Sequence, residues 1–192
     1  MHAPTTIHYA ALLRVLRYLH STITRSLFYS SDSPLTLRAY SDAGWADDPD
    51  TRRSTTGYCI FLGTSLISWR SKRQEVVSRS STEAEYRAMA DTTLEIHWLR
   101  EFLSDIGISI ETPIPMHCDN KSAIAIASNP VFHNRTKHID VDCHITRQAY
   151  EKKIISLPYT PSSSQLADLF TKAQTSPQFR LLLSKLSVYD PP

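Results

Sequence analysis

Apolar side chains recur with two different periods along the chain, and the change of period separates the predicted elements. Leu35, Leu37 and Ala39 alternate with polar residues, which is the period of a half-buried strand. Two more short strand-like runs, 58–62 and 65–70, are separated by a Gly-Thr dipeptide. The three runs predict an antiparallel three-strand meander.

The period then becomes helical. From Glu85, side chains on one face recur at alternating steps of four and three until Gly107, after a predicted N-cap at Ser81 or Thr82. This pattern predicts one long helix with a single buried face. An amphipathic helix is predicted before the meander, over 5–20. After the long helix we predict a strand, two helices, a strand and a last helix over 114–118, 121–127, 138–153, 154–159 and 164–173. This order indicates an α/β fold.

Composition supports a compact domain with a substantial core. The chain has 192 residues, of which 41% are hydrophobic. No stretch approaches the roughly 20 apolar residues of a membrane span, because Arg14 and Arg17 interrupt the most apolar early segment. Cysteines at 59, 118 and 143 form no CxxC pair, which argues against a disulfide framework and favours an intracellular protein.

Residues 1–31 contain no acidic side chain but three arginines and several serines. This composition is typical of an organellar transit peptide. The alternative is a basic helical segment of a cytoplasmic or nuclear protein, and the motifs described below favour that alternative.

The net charge of +2 hides a strong segregation of charge. Six basic residues lie between 52 and 79 against one acid, and seven acids lie between 83 and 111 against two arginines. Another basic run follows over 135–153. The basic runs are solvated faces in one interpretation. In the other, they bind a phosphate backbone while the acidic residues between them hold a metal.

Glu85 lies on the apolar face of the long helix, where an ionised carboxylate is unfavourable unless it is paired or binds a metal. The alternative is that Glu85 reaches water or an arginine near the helix end. Glu83 lies about 200° away around the helix, on the predicted solvent side, where it would interact with the helix dipole.

Two aspartates follow predicted strands. Asp42 ends the first strand of the meander, and Asp119 lies at a strand-to-helix crossing. Ligand sites are commonly built at strand ends in α/β sheets. Each aspartate considered alone is equally compatible with a turn or a helix cap.

Seven ordered segments together resemble the ribonuclease H domain that closes copia-type retrotransposon polyproteins, over about residues 36–175. They are YSDA from Tyr40, DTRRSTTGY from Asp50, ISW from Ile67, SSTEAEYRA from Ser80, CDN from Cys118, RTKHID from Arg135 and QLADLFTK from Gln165. The segment RVLRYL from Arg14 resembles the connection between reverse transcriptase and ribonuclease H in such elements.

The resemblance implies a ribonuclease H-like fold, a five-stranded mixed sheet flanked by helices, in which parallel strands join the meander. It also implies a division into a helical connector at 1–35, a ribonuclease H domain at 36–175 and a helical tail at 176–192. A reverse transcriptase domain of the same element becomes an expected partner. Nothing in the sequence resembles the paired aspartates of a polymerase.

The resemblance further implies four metal-binding carboxylates: Asp42, Glu85, Asp119 and Asp168. The assignment of Asp168 rests on the resemblance alone, because the apolar stripe of the last predicted helix places that side chain on the solvated side. Two Mg²⁺ ions about 4 Å apart would activate water and stabilise the leaving oxygen, with Mn²⁺ as a substitute. We expect Asp42 to bridge the ions, Glu85 and Asp119 to hold the leaving-group ion, and Asp168 to hold the ion that activates water.

The implied substrate is an RNA–DNA hybrid, whose RNA strand is cut internally. Contacts to its backbone should be only weakly sequence-specific and strongly salt-dependent. The candidate contact residues are Arg52, Arg53, Ser54, Thr55, Asn120, Ser122, Lys137 and His138.

Other functions remain open at this point. One is a catalytically silent, co-opted or degenerate fragment that binds nucleic acid. Another is an integrase-like DNA strand transferase, which would need a three-acid site and usually a His/Cys zinc module. The fourth acid and the absence of a CxxC pair argue against it. A zinc site built from His133, His138, His144 and Cys143 has unfavourable spacing. The loop before the last helix contains Ser162–Ser164, where many cellular ribonucleases H have a histidine.

Overall fold

The computed structural model describes residues 3–111, 113–129 and 140–189. Its strands are β1 (Ser26–Leu27), β2 (Leu37–Gly44), β3 (Thr55–Leu62), β4 (Ser65–Arg73), β5 (Ile114–His117), β6 (Ile155–Ser156) and β7 (Val188–Tyr189). Five of these strands form one mixed sheet in the order β4-β3-β2-β5-β6. Pairs β2–β3 and β3–β4 are antiparallel, whereas β2–β5 and β5–β6 are parallel. The predicted α/β fold, with a meander extended by parallel strands and flanked by helices, is confirmed.

Helices cover both faces of the sheet. They are α1 (Thr6–Thr22), α2 (Ser81–Asp105), α3 (Lys121–Ser128), α4 (Asp140–Glu151) and α5 (Ser176–Lys185). Side chains of strand β3 alternate between two apolar clusters, one on each face. Tyr58 and Ile60 contribute to a core shared with α2, α3 and α4, whereas Cys59 and Phe61 face α5. No described helix has both the length and the apolarity that crossing a bilayer requires.

The central strand β2 is buried on both faces toward its carboxyl end, where Ser41 and Asp42 are fully inaccessible to solvent. It pairs in parallel with β5, with Ala39 opposite Met116. The carboxyl ends of these two parallel strands therefore lie side by side, which places Asp42 near the residues that follow β5.

Helix α2 begins one residue before the predicted boundary. Ser80, not Ser81 or Thr82, is the N-cap: its backbone is extended, and its side chain accepts a hydrogen bond from the Glu83 N–H at 3.2 Å. The helix ends before Ile106 and Gly107, and the left-handed φ of +85° at Gly107 matches the predicted stop signal.

The predicted last helix over 164–173 is wrong. Two 3₁₀ segments, Ser162–Ser164 and Leu166–Phe170, replace it. Gln165 lies between them in an extended conformation, and its buried side chain donates to the Ser41 carbonyl oxygen at 3.0 Å and accepts from the Ala167 N–H. These hydrogen bonds attach the second segment to β2, and they need the extended backbone that a continuous helix would not allow.

Strand β6 is shorter than the predicted run 154–159. After Ser156 the ladder is interrupted, and Tyr159 rejoins it only through an isolated parallel bridge to Cys118. Pro158 lies in this interval and has no N–H to donate, although its carbonyl oxygen accepts from the Cys118 N–H.

A second, two-stranded sheet, which the sequence did not predict, joins the segment after α1 to the segment after α5. Strand β1 pairs antiparallel with β7, with Ser26 opposite Tyr189. Leu182 and Leu186 of the predicted helical tail are buried in the core beside β3. By contrast, no residue of α1 is buried. The division at residues 35 and 175 stays a prediction.

Candidate active site

Asp42 lies at the carboxyl end of β2 and is fully buried. Its Oδ2 accepts a hydrogen bond from the Thr171 hydroxyl, and its Oδ1 accepts from the Lys172 ammonium at 3.2 Å. A buried carboxylate needs such partners, because its lost hydration is not recovered otherwise. The residues that follow the second 3₁₀ segment therefore compensate the central strand's aspartate.

Glu85 is 6% exposed on the first turns of α2, on the buried face that the apolar period predicts. Its carboxylate accepts a hydrogen bond from the backbone of Ala43. Its Oε2 has no hydrogen-bond partner among the described residues. Burial, reinforced by the nearby charges of Asp42 and Asp119, raises the pKa of Glu85 to about 9.

Glu83 does not lie on the solvent side, so that prediction is wrong. Its side chain is 5% exposed, pairs with Arg87 at 3.0 Å and accepts from the Arg79 N–H at 2.9 Å. The segment before α2 folds over the first turn of the helix, where buried Gln74 donates to the Ala84 carbonyl oxygen. This covering segment buries a helix position that the apolar period assigns to water.

Asp119 follows β5 and is half-buried. Its Oδ2 accepts a hydrogen bond from the Ser162 hydroxyl at 2.6 Å. The next residue, Asn120, caps α3, because its Oδ1 accepts from the Ala123 N–H at 3.0 Å. A strand end and a helix cap thus fix Asp119, while a serine of the first 3₁₀ segment orients its carboxylate.

Asp168 lies within the second 3₁₀ segment and is half-buried, not solvated as the helical pattern indicated. The pattern fails there because the segment lacks the α-helical period on which it depends. Burial raises the pKa of Asp168 to about 6. Its Oδ1 accepts a hydrogen bond from the Lys172 ammonium at 2.9 Å.

Two overlapping groups of ligand atoms converge at this edge of the sheet. Oxygens of Asp42, Asp119 and Asp168 lie within 4.8 Å of one another, and so do ligand atoms of Glu85, Cys118 and Asp119. Carboxylate oxygens are the donors that Mg²⁺ prefers. The unpartnered, buried Oε2 of Glu85 also fits a cation that supplies its missing contact. The four predicted carboxylates therefore form one acidic cluster whose chemistry fits divalent ions.

Lys172 and Thr171 are contacts of this cluster that the sequence interpretation omitted. Burial lowers the pKa of Lys172, but attraction to the Asp42 and Asp168 carboxylates outweighs burial and leaves the pKa above its ordinary value. The spacing of four residues between Asp168 and Lys172 was an available signal for the pair, although the same spacing also occurs in surface ion pairs.

The structure separates the predicted nucleic-acid contacts into different environments. Arg52 and Arg53 are exposed in the β2–β3 connection, and Ser122 is exposed on α3. Ser54, by contrast, is fully buried, and its hydroxyl oxygen accepts from the Ala46 N–H at 3.0 Å. Thr55 is half-buried at the start of β3.

Two predicted contacts, Lys137 and His138, lie outside the described residues, as does His133 of the alternative zinc site. His144 of that zinc site is exposed on α4. A cleft of mixed charge at the edge strand β4 was not among the predicted contacts. It is lined by Arg70, Lys72, Arg73, Gln74, Glu75, Val76, Arg87, Asp91 and Asp142.

Comparison with known proteins identifies relatives of this chain. It is 43% identical to the retrovirus-related Pol polyprotein from transposon RE1 of Arabidopsis thaliana, over 98% of this chain. It is also 43% identical to the retrovirus-related Pol polyprotein from transposon RE2 of the same plant, over the whole of this chain. The chain belongs to the copia-type Pol polyproteins.

Each of these two Pol polyproteins is far longer, and the chain spans about 13% of their length. No family model matches it. Among solved structures, the LC11-RNase H1 isolated from compost by a metagenomic approach superposes with a TM-score of 0.51. The identity is 14%, over 71% of this chain and 93% of that one. This copia-type Pol segment therefore has the ribonuclease H fold, and the predicted resemblance is confirmed.

Proposed function

We propose that this chain hydrolyses the RNA strand of RNA–DNA hybrids endonucleolytically by two-metal-ion catalysis, as part of retrotransposon reverse transcription. The observation that carries the proposal is the convergence of Asp42, Glu85, Asp119 and Asp168 at one edge of a ribonuclease H-like sheet. Such a concentration of carboxylates is unfavourable without cations, because their charges repel one another.

The roles proposed for the individual carboxylates are those that the family resemblance implies. A carboxylate oxygen of Asp42 lies within 4.8 Å of oxygens of Asp119 and Asp168, and Asp42 would be shared between two Mg²⁺ ions. Glu85 and Asp119 would hold the ion on the leaving-group side, and Asp168 the ion on the water side. When bound, such ions supply an activated water and stabilise the departing oxygen.

The chain's own groups prepare these carboxylates. The Thr171 hydroxyl fixes Oδ2 of Asp42, and the Ser162 hydroxyl fixes Oδ2 of Asp119. Glu85 has a pKa of about 9, so at neutral pH it holds a proton that it must release to act as an anionic ligand. Asp42 and Asp119 are thereby held in position before substrate arrives.

Basic side chains at the surface support binding to a phosphate backbone. Exposed Arg52 and Arg53 lie in the connection after β2, and the β4 cleft contributes Arg70 and Lys72. Lys and Arg contacts to phosphates position a duplex without reading its sequence. Binding should therefore weaken steeply as salt is raised.

We also propose that the activity operates beside a reverse transcriptase domain of the same element, in the cytoplasm or nucleus. The support is the family of much longer Pol polyproteins to which the chain belongs.

The substrate class is tested with three labelled duplexes of one sequence: an RNA–DNA hybrid, an RNA duplex and a DNA duplex. With Mg²⁺, or with Mn²⁺ as substitute, we expect internal cuts confined to the RNA strand of the hybrid. Hybrid binding without any cut in either metal would contradict the proposal and favour a catalytically silent binding module. Equal cutting of the RNA duplex would contradict the hybrid specificity.

A further inference from the structure

A lysine ammonium lies between two of the predicted metal-binding carboxylates. The Nζ of Lys172 is 2.9 Å from Oδ1 of Asp168 and 3.2 Å from Oδ1 of Asp42. These two oxygens come from distant parts of the chain, one from β2 and the other from the second 3₁₀ segment. Lys172 therefore joins two elements that each supply one carboxylate of the cluster.

The Lys172 ammonium offsets negative charge within the acidic cluster. Asp42 is fully buried, and its charge adds to those of Asp119 and Asp168 nearby. A positive group that contacts two of these carboxylates lowers their mutual repulsion. Lys172 supplies this charge from the chain itself.

The side chain of Lys172 is also free to leave. It is 44% exposed, whereas those of Asp42 and Asp168 are 0% and 14% exposed. The four-carbon stem of lysine is flexible, and the ammonium is readily hydrated. The carboxylates are thus fixed while the cation that joins them can move into water.

We propose that Lys172 is a positioning residue that acts as an internal counter-cation: it holds Asp42 and Asp168 together without metal, and it leaves them when a divalent ion binds these carboxylates. This role rests on the proposed metal-dependent function. It predicts competition between the ammonium and the divalent ion for the same oxygens. The wild-type chain would then bind metal more weakly than a chain without the lysine.

The competition is measured by calorimetric titration of Mg²⁺ into the substrate-free chain. We expect Lys172→Met to tighten Mg²⁺ binding about five- to tenfold, because the ion no longer displaces an ammonium. Lys121→Met is the matched control: it removes the same charge two residues from Asp119, but its ammonium lies over the Tyr159 ring, 4.6 Å from the centroid. The control should change the affinity less than about twofold.

A second measurement uses the wild-type chain and does not depend on the folding of a variant. Brief acetylation followed by mass spectrometry reports how accessible each lysine amine is. Saturating Mg²⁺ should raise the modification of Lys172 severalfold and leave that of Lys121 nearly unchanged.

Two results would overturn the role of Lys172 while leaving the proposed function intact. In the first, Lys172→Met binds Mg²⁺ no more tightly than the wild type. In the second, Mg²⁺ does not increase the acetylation of Lys172. Failure of both wild type and variant to bind Mg²⁺ or Mn²⁺ would instead overturn the proposed function and this role together.

Discussion

At the scale of single residues, the fully buried Asp42 depends on side chains that lie far away in the sequence. Its oxygens accept hydrogen bonds from Thr171 and Lys172, about 130 positions later. A charged group with hydrogen bonds tolerates burial, whereas a lost partner leaves a desolvated anion. The stability of β2 is therefore linked to the second 3₁₀ segment through individual hydrogen bonds.

Thr171→Val removes the hydroxyl that donates to Asp42 while keeping a side chain of similar size. We expect the free energy of unfolding to fall by about 1–3 kcal/mol, which is typical for a lost hydrogen bond to a buried charge. Urea unfolding measures this loss. Thr175→Val is the control, because the Thr175 side chain makes no cap hydrogen bond. Equal stability of the two variants would contradict the role of Thr171.

Glu85 predicts an unusual pH dependence for the metal-free chain. Burial raises its pKa from 4.5 to about 9, so between these values the folded chain keeps a proton that the unfolded chain releases. Stability should then fall as pH rises from about 5 to about 9, by up to about 1.4 kcal/mol per pH unit. Asp168, whose pKa is raised from 3.8 to about 6, should also make stability fall as pH rises between these two values.

The pH dependence is measured by urea unfolding in a chelator at several pH values. Glu85→Gln removes the titrating group, so its stability should vary less between pH 6 and 9 than that of the wild type. Identical slopes for the two chains would show that Glu85 does not carry the effect.

The sequence predicted site residues best where a regular element fixes their direction. Glu85 lies on the helix face given by its period, and Asp42 and Asp119 end paired parallel strands. The predicted solvent exposure was wrong for Glu83, because a neighbouring segment covers it, and for Asp168, because its segment is not α-helical. A local period carries no information about such tertiary covering.

At the scale of elements, the second 3₁₀ segment depends on a glycine in β3. A Cβ at Gly57 would lie 2.5 Å from the Thr171 Cγ2, 3.0 Å from the Phe170 Cβ and 3.1 Å from the Ala167 carbonyl oxygen. Gly57 is also paired directly with Asp42 in the sheet. The absent side chain thus lets the segment that carries Asp168 approach the strand that carries Asp42.

Gly57→Ala should push this segment away from the sheet. We expect a loss of about 1–3 kcal/mol in the free energy of unfolding and, in the molecules that remain folded, weaker Mg²⁺ binding. Gly107→Ala serves as the comparison, because its left-handed φ of +85° also costs stability but no atom lies within 4 Å of the added Cβ. Unchanged metal affinity in folded Gly57→Ala would contradict the account.

The elements themselves were predictable to different degrees. The meander and the long helix follow from local alternation and period, and their observed ends lie within three residues of the predicted ones. The prediction of a last helix over 164–173 was wrong, because the hydrogen bond from Gln165 to β2 decides the conformation of this segment. The β1–β7 pair joins two segments that lie far apart in the sequence, so no local pattern predicts it.

At the scale of the whole molecule, the net charge of +2 is the near-cancellation of separate regions. Acidic groups converge where β2 and β5 end, while basic side chains occupy the β2–β3 connection and the β4 cleft. Apolar side chains of α1 such as Ile7 and Leu12 stay exposed among the described residues, at 78% and 52%. The chain therefore presents a charged site and, separately, an amphipathic helix whose apolar side chains are exposed.

The central claim is that the acidic cluster performs catalysis and is not merely a feature of the fold. Its most direct test compares the rate of RNA-strand cleavage in a hybrid, with Mg²⁺, by wild type, Asp119→Asn and the exposed-acid control Asp32→Asn. Loss of a metal ligand should lower the rate at least about a hundredfold, while hybrid binding persists and Asp32→Asn cleaves like wild type. Cleavage by Asp119→Asn at the wild-type rate would contradict the account.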